Sequence, residues 1–289
     1  PTVHHSKDTQ GNKSTVNIAM LAQEILLRAK KNVFTNKSAG ELSKIRGEGL
    51  DFCEIRPYEP GDDIRKINFT ASGKTGELQT NIFNENKQIN VVICIMLSSS
   101  LHFGSQCLKS ETIAQIIALL GCSSIKQHNQ TQLLFFSKNE QQLFRFNNTS
   151  DVLHAIEAIL SWDLLKTKPD FQALNNYLLQ QKKSLVFVIG DFYQQDDYSL
   201  IAHKNQINAL VVRDRLEEMP NFATELDLVN AEDGNTIEAS MNKKLAKKYQ
   251  TKLNAQDDKL FSHFAKHGIN VGKLYTSDDA FIKLSQILR

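Results

Sequence analysis

No stretch of this 289-residue chain approaches the eighteen or so consecutive apolar residues that a membrane-crossing helix requires. The longest strongly apolar run, Val91 to Leu97, has the length of a strand buried on both faces. Cysteine is sparse as well: Cys53, Cys94, Cys107 and Cys122 are scattered, none stands in a C-x-x-C pair, and Cys94 lies inside the apolar run. That distribution argues against a disulfide framework or a zinc ribbon and suits reduced thiols. An excess of either charge is also missing. Lys plus Arg (34) nearly balance Asp plus Glu (32), so no overall field draws the chain onto nucleic acid or an anionic membrane, and any charged docking must be local. The first residues, PTVHHSKDTQGNKSTVN, lack the apolar centre of a signal peptide and read as a polar tail over residues 1–16, with a cytoplasmic location as the expectation.

What is present is an apolar fraction of 41%, enough to bury a core, and a period that changes along the chain. Ile18, Leu21, Ile25 and Leu26 recur at helical spacing up to Lys30-Lys31-Asn32. From Gly47 to Phe83 short extended pieces alternate with Pro57, Pro60-Gly61, Gly73 and Gly76, as in a small β-rich excursion. Residues 17–87 are therefore read as an N-terminal helix plus that excursion, and residues 88–289 as the main domain.

In the main domain, VVICIML (91–97) reads as a covered strand, and Ile113, Ile116, Ile117 and Leu120 mark the helix after it. QLLFFS (132–137) and QLFRF (142–146) read as a hairpin, and helices over 151–160 and 171–181 lead to the strand SLVFVIGDF (184–192). A short helix, a strand over 207–213, a β insertion near 216–238, a basic helix over 242–266 stopped by Gly268, a strand over 269–275 and a closing helix complete the series. This order predicts an α/β fold: a doubly wound, mostly parallel, Rossmann-like sheet flanked by helices.

Several residues coincide between Gly47 and Glu85: Gly47-Glu48-Gly49, Asp51-Phe52, Arg56, Tyr58, Gly61-Asp62-Asp63, Arg65 and Ser72. With Ser98-x-Ser100, Phe103-Gly104, Gly190-Asp191-Phe192, Asp214 and Glu217, this stretch resembles the bacterial family called domain of unknown function fifty-eight, over nearly all of the chain after the tail. The resemblance implies a von Willebrand factor A-like domain, a gene commonly beside a MoxR-type AAA+ ATPase, and an adaptor role in the maturation or assembly of other proteins.

Within the signature, Pro60 presets φ for a turn and the two carboxylates of Asp62 and Asp63 follow at once. Arg56 and Arg65 are the cations placed to answer them, either as a structural clasp or as part of a partner surface that includes Tyr58.

The fold that the resemblance implies normally holds a divalent cation where its strands end, on oxygens from a D-x-S-x-S run, a Thr and a second Asp. Here Met96 stands in the first position, and Pro169 stands where the Thr is expected. A thioether and a pyrrolidine ring do not replace hard oxygen ligands. Ser98, Ser100 and Asp191 remain, with Asp170 as a substitute ligand, so the site is expected to be degenerate and to hold neither Mg²⁺ nor Mn²⁺.

Three other features are set aside. Gly73-Lys74-Thr75 imitates the end of a phosphate-binding loop, but Asn68 replaces its first glycine and an extended segment follows. His263 and His267 have metal-pair spacing without a third ligand, and the lysines at 243, 244, 247, 248 and 252 read as the wet face of a helix whose Leu245, Tyr249 and Leu253 are buried. The expectation is a non-enzymatic interaction module without a cofactor, using Arg56, Tyr58, Asp62, Asp63, Arg65, Ser98, Ser100 and Asp191 as contact surface. The alternative is a metal-dependent hydrolase on Asp191 and Asp170. A scaffold assembling through the basic helix is a third reading.

Overall fold

A computed structural model describes residues 8–35, 54–60, 62, 64, 67–82, 89–138, 140–164, 167–194, 196–219, 225–229, 236–240 and 243–288. The chain divides into two compact units, one of residues 1–45 with 90–289 and one of residues 46–89.

The larger unit is built on a six-stranded sheet. Its strands are β3 (Asn90–Met96), β4 (Gln130–Phe136), β5 (Gln141–Phe146), β6 (Leu185–Gly190), β7 (Gln206–Arg213) and β10 (Asn270–Tyr275), in the spatial order β10-β7-β6-β3-β4-β5. All neighbours run parallel except β4 and β5, the hairpin expected from QLLFFS and QLFRF. After β3 the chain winds towards β4 and β5, and from β6 it winds the other way, so β3 and β6 lie side by side where the winding reverses. In a sheet of this kind, the crevice at that reversal, beyond the carboxyl ends of the strands, is where ligands collect.

Continuous apolar runs form these strands because helices cover both faces. Every residue of β6 is buried, as are all of β3 beyond Asn90. One face carries Val92, Cys94, Met96, Val186, Val188, Ala209 and Val211. It packs on α5 (Phe171–Gln180) through Leu174 and Leu178, on α6 (Ser199–Lys204) through Ile201, and on α8 (Lys243–Lys266) through Leu260 and Phe264. α3 (Lys109–Lys126) contacts the sheet through β4 and β7, and α1 (Asp8–Lys30), α4 (Thr149–Ser161) and α9 (Ala280–Ile287) pack on α3. The expected apolar positions of α3, Ile113, Ile116, Ile117 and Leu120, are all buried. Gly268, with φ +65°, ends α8 as the sequence predicts.

α1 begins at Asp8, inside the stretch read from sequence as a tail, and a π-helical turn (Lys31–Thr35) extends it. The insertion contains α7 (Arg215–Glu218) and the antiparallel pair β8 (Glu225–Val229) and β9 (Thr236–Ser240). Tyr249, expected beneath the basic helix, is 39% exposed, whereas Leu253 is buried, and the side chain of Leu245 lies outside the described residues. Cys94, Cys107 and Cys122 are free thiols, and burial pushes the Cys122 thiol up to about 11; Cys53 lies outside the described residues. No helix among the described residues is long and apolar enough to cross a membrane.

The smaller unit pairs β1 (Glu54–Pro57) with β2 (Gln79–Ile82). Between them Phe69–Thr75 forms a helix, α2, where the sequence reading gave extended chain. Asn68 caps it by accepting the Ala71 N–H, and Gly76 closes it with φ +77°. Lys74 and Thr75 therefore lie in a helix's last turn rather than in a loop around phosphate. Ser72, one of the signature residues, donates its hydroxyl to the Asn68 carbonyl and accepts the Gln79 N–H, stitching α2 to β2.

Candidate functional site

The first half of the signature forms a clasp. Asp62 donates its N–H to the Glu59 carbonyl at 3.0 Å, closing a turn with Pro60 at its second position. One carboxylate oxygen of Asp62 accepts the Arg56 guanidinium at 2.7 Å, and the other accepts the Glu59 N–H at 3.0 Å. Arg56 also donates to the Pro57 carbonyl. The structural reading of the Arg56 and Asp62 pair thus has its geometry, with both groups partly exposed. Tyr58 is half-buried, and its N–H bonds the Leu78 carbonyl across the hairpin. Asp63 and Arg65 lie outside the described residues.

The second cluster sits at the reversal of the sheet in the larger unit. β3 ends at Met96, and Leu97 to Ser100 turn over the strand end into a 3₁₀ turn, Ser99–His102. β6 ends at Gly190, and Asp191 follows directly. Ser98 donates to Asp191 Oδ2 at 2.7 Å, Ser100 donates to the same oxygen, and the two hydroxyls lie 3.0 Å apart. Ser98 and Ser100 thus meet Asp191, which lies 93 and 91 residues further along the sequence. Among the described residues, Asp191 Oδ1 receives the Tyr193 N–H alone, at 3.4 Å. Phe192 takes a left-handed φ of +53°, which a bulky residue adopts only at a cost of roughly 1–3 kcal/mol. The kink sends its ring into the core, against Tyr198 and Phe264.

The other expected ligand positions do not converge here. Met96 belongs to the core packed under α5, α6 and α8. Asp170 caps α5 by accepting the Ala173 N–H at 2.9 Å. In the second loop Thr167, two residues before Pro169, reaches the serine turn: its carbonyl accepts the Ser99 N–H, and its hydroxyl donates to the Asp163 carbonyl. The oxygens gathered at Asp191 are thus one carboxylate and neutral hydroxyls. No group of three or more His, Cys, Asp or Glu side chains among the described residues is placed to hold a metal. Mg²⁺ is usually held by one or two carboxylates with several waters, and here a single carboxylate stands among neutral hydroxyls, so the residues fit Mg²⁺ poorly.

Beside this cluster lies a charged network that the sequence reading did not foresee. Lys109 is fully buried, and its ammonium lies 2.5 Å from Glu217. Arg213, 1% exposed, reaches Asp257 at 3.2 Å and stacks 3.7 Å from the centre of the Tyr193 ring, and the Lys109 ammonium lies 5.4 Å from the same ring. Burial works against Arg213's charge, but Tyr193, Asp257 and Asp191 more than compensate, and its pKa rises. Burial and the charge of Glu217 push the Tyr193 phenol up. Lys273 joins Asp257 and Glu218, at 2.8 and 2.5 Å, and Tyr275 donates to Glu218 at 2.9 Å. Asp214 accepts the Ser105 N–H and hydroxyl, the Thr276 hydroxyl and the Leu216 N–H. Only Asp214 and Glu217 of this set carried a sequence signal, because the partners come from α3, α8 and β10.

His263 and His267 face one another with ring centres 4.6 Å apart, and His263 Nε2 accepts the Tyr198 N–H. They are partly buried rather than a fully wet face.

In comparisons with known proteins, three curated relatives match, one from Mycobacterium bovis and two from strains of Mycobacterium tuberculosis, each described as an uncharacterized protein. Each is 23% identical over 112 residues, covering 39% of this chain and 35% of the relative. The chain thus matches about a third of their length. The family model described as "Protein of unknown function DUF58" matches residues 54–259, from β1 through the serine turn, Asp191 and most of α8, and the chain belongs to that family.

Proposed function

We propose that the protein is a non-enzymatic interaction module, an adaptor working with a MoxR-type AAA+ ATPase in the maturation or assembly of other proteins, on a von Willebrand factor A-like domain with a degenerate metal site. The observation that carries the reading is the chemistry at the sheet reversal. One carboxylate bound to two serine hydroxyls supplies no second acid–base group, and an ordinary carboxylate is too weak a base to activate a serine hydroxyl by itself. Asp170, which the hydrolase alternative needs, is committed to a helix cap. The smaller unit meanwhile exposes Ile55, Ile64, Phe69 and Leu78, the apolar material that protein contacts use. A cytoplasmic location fits this role.

The test is co-purification of the full chain with the MoxR-type ATPase of the same organism. Retention of the ATPase by the wild-type chain, reduced at least about tenfold by Ser100→Lys at the sheet edge, is the expected result. Absence of a complex at tens of micromolar, or a hydrolytic activity abolished by Asp191→Asn, overturns the reading.

A further inference from the structure

Two buried carboxylates directly follow strands of the sheet, Asp191 after β6 and Asp214 after β7, and they are treated differently. Asp214 accepts four hydrogen bonds spread over both oxygens, two of them from backbone N–H groups. Asp191, 7% exposed, has both serine hydroxyls on Oδ2 and a single 3.4 Å contact on Oδ1. It makes no ion pair within 4 Å among the described residues, whereas the neighbouring Glu217 and Asp257 each have a cation in contact. Arg213 feels Asp191's charge through space, but its guanidinium is engaged by Asp257 and the Tyr193 ring. A carboxylate this deeply buried is costly without a cation.

We infer that the cation comes from a partner protein: the Asp191, Ser98 and Ser100 cluster receives a lysine side chain. This rests on the interaction-module reading and gives the partner's chemistry at that edge. The donor set that does not fit a hard dication fits a primary ammonium. An ammonium carries one charge, which one carboxylate neutralises, and three N–H donors for Asp191 Oδ1 and the remaining lone pairs of the two hydroxyl oxygens. A guanidinium fits worse, since its planar fork wants both carboxylate oxygens, and Oδ2 already holds two hydroxyl protons. Asp191 and Ser98 are buried, and the four-carbon stem of lysine carries its ammonium further from a partner's backbone than a short amine can.

The experiment uses the full chain and small probes, so it is independent of the ATPase. Amide shifts of Ser98 to Ser100 and Asp191 to Tyr193 are followed by NMR during titration with n-butylammonium, n-butylguanidinium or Mg²⁺. Saturable shifts with butylammonium on the order of millimolar, at least about tenfold weaker with butylguanidinium, are expected. Asp191→Asn weakens the binding at least about tenfold, and Ser98→Ala/Ser100→Ala weakens it without removing the charge. Each variant is accepted only when its thermal midpoint and amide spectrum away from the site match the wild type. No saturable response to butylammonium, an undiminished response in Asp191→Asn, or tighter binding of Mg²⁺ than of butylammonium overturns the inference. If the ATPase still co-purifies in that case, the adaptor reading stands without it.

Discussion

Asp214 behaves as a structural carboxylate, and its titration is the means of demonstrating this. Burial alone raises its pKa, but the Ser105 N–H, the Thr276 and Ser105 hydroxyls and the Leu216 N–H outweigh burial and hold it below the ordinary range. A folded-state pKa below the unfolded value of about 3.9 means that the charged form is stabilised by folding. The contribution is complete above the unfolded pKa and disappears as pH falls through the folded one. Asp214→Asn is therefore expected to cost about 1.5–3 kcal/mol at neutral pH, with the gap to wild type closing below about pH 4. Urea unfolding of both proteins at several pH values reads this directly. A gap that stays constant down to pH 3 contradicts the assignment.

Gly104 shows how one backbone position can hold several elements together. A Cβ there would lie 1.8 Å from the Cys107 carbonyl oxygen and 2.8 Å from the Leu108 Cα, so the main chain itself must move. The segment that would move brings Ser105 to Asp214 and leads into Lys109, whose N–H bonds the Phe103 carbonyl at the start of α3. Gly104→Ala is expected to cost about 1–3 kcal/mol. Its effect also overlaps that of Asp214→Asn, so the double variant should lose at least about 0.5 kcal/mol less than the sum, measured by the same urea unfolding. This close approach had no period to announce it; Phe103-Gly104 was legible only through the family resemblance. The strands were legible because both-face burial leaves continuous apolar runs such as Val91 to Leu97. α2 was not, since seven residues holding Gly73 give too little helical period, although Asn68 before Phe69 was a usable cap signal. At the candidate site the meeting of Ser98, Ser100 and Asp191 was legible only through the family resemblance, which sets these residues at the strand ends. The Lys109 and Glu217 pair and the Arg213, Tyr193 and Asp257 stack could not, because their members are joined only by the tertiary fold.

For the chain as a whole, the donor chemistry at Asp191 becomes a statement about stability. A ligand that binds the native state and not the unfolded one stabilises by RT ln(1 + [L]/Kd), about 2.7 kcal/mol when the ligand stands at a hundred times its Kd. In a unit of this size each kcal/mol moves the thermal midpoint by roughly 2–4 °C, so a working Mg²⁺ site at millimolar Mg²⁺ would raise it by roughly 5–10 °C and EDTA would reverse the change. With one carboxylate and neutral hydroxyls at the sheet reversal, the midpoint is expected to move by less than about 1 °C between EDTA and about 5 mM Mg²⁺. Scanning calorimetry of wild type and Met96→Asp in both buffers separates the outcomes. Restoring the carboxylate at the end of β3 costs core packing, because Met96 is one of the side chains under α5, α6 and α8. The informative quantity is therefore the Mg²⁺-dependent shift within each protein. A shift appearing only in Met96→Asp identifies the missing charge as the defect, and a shift already present in wild type shows that Ser98, Ser100 and Asp191 hold the ion without it.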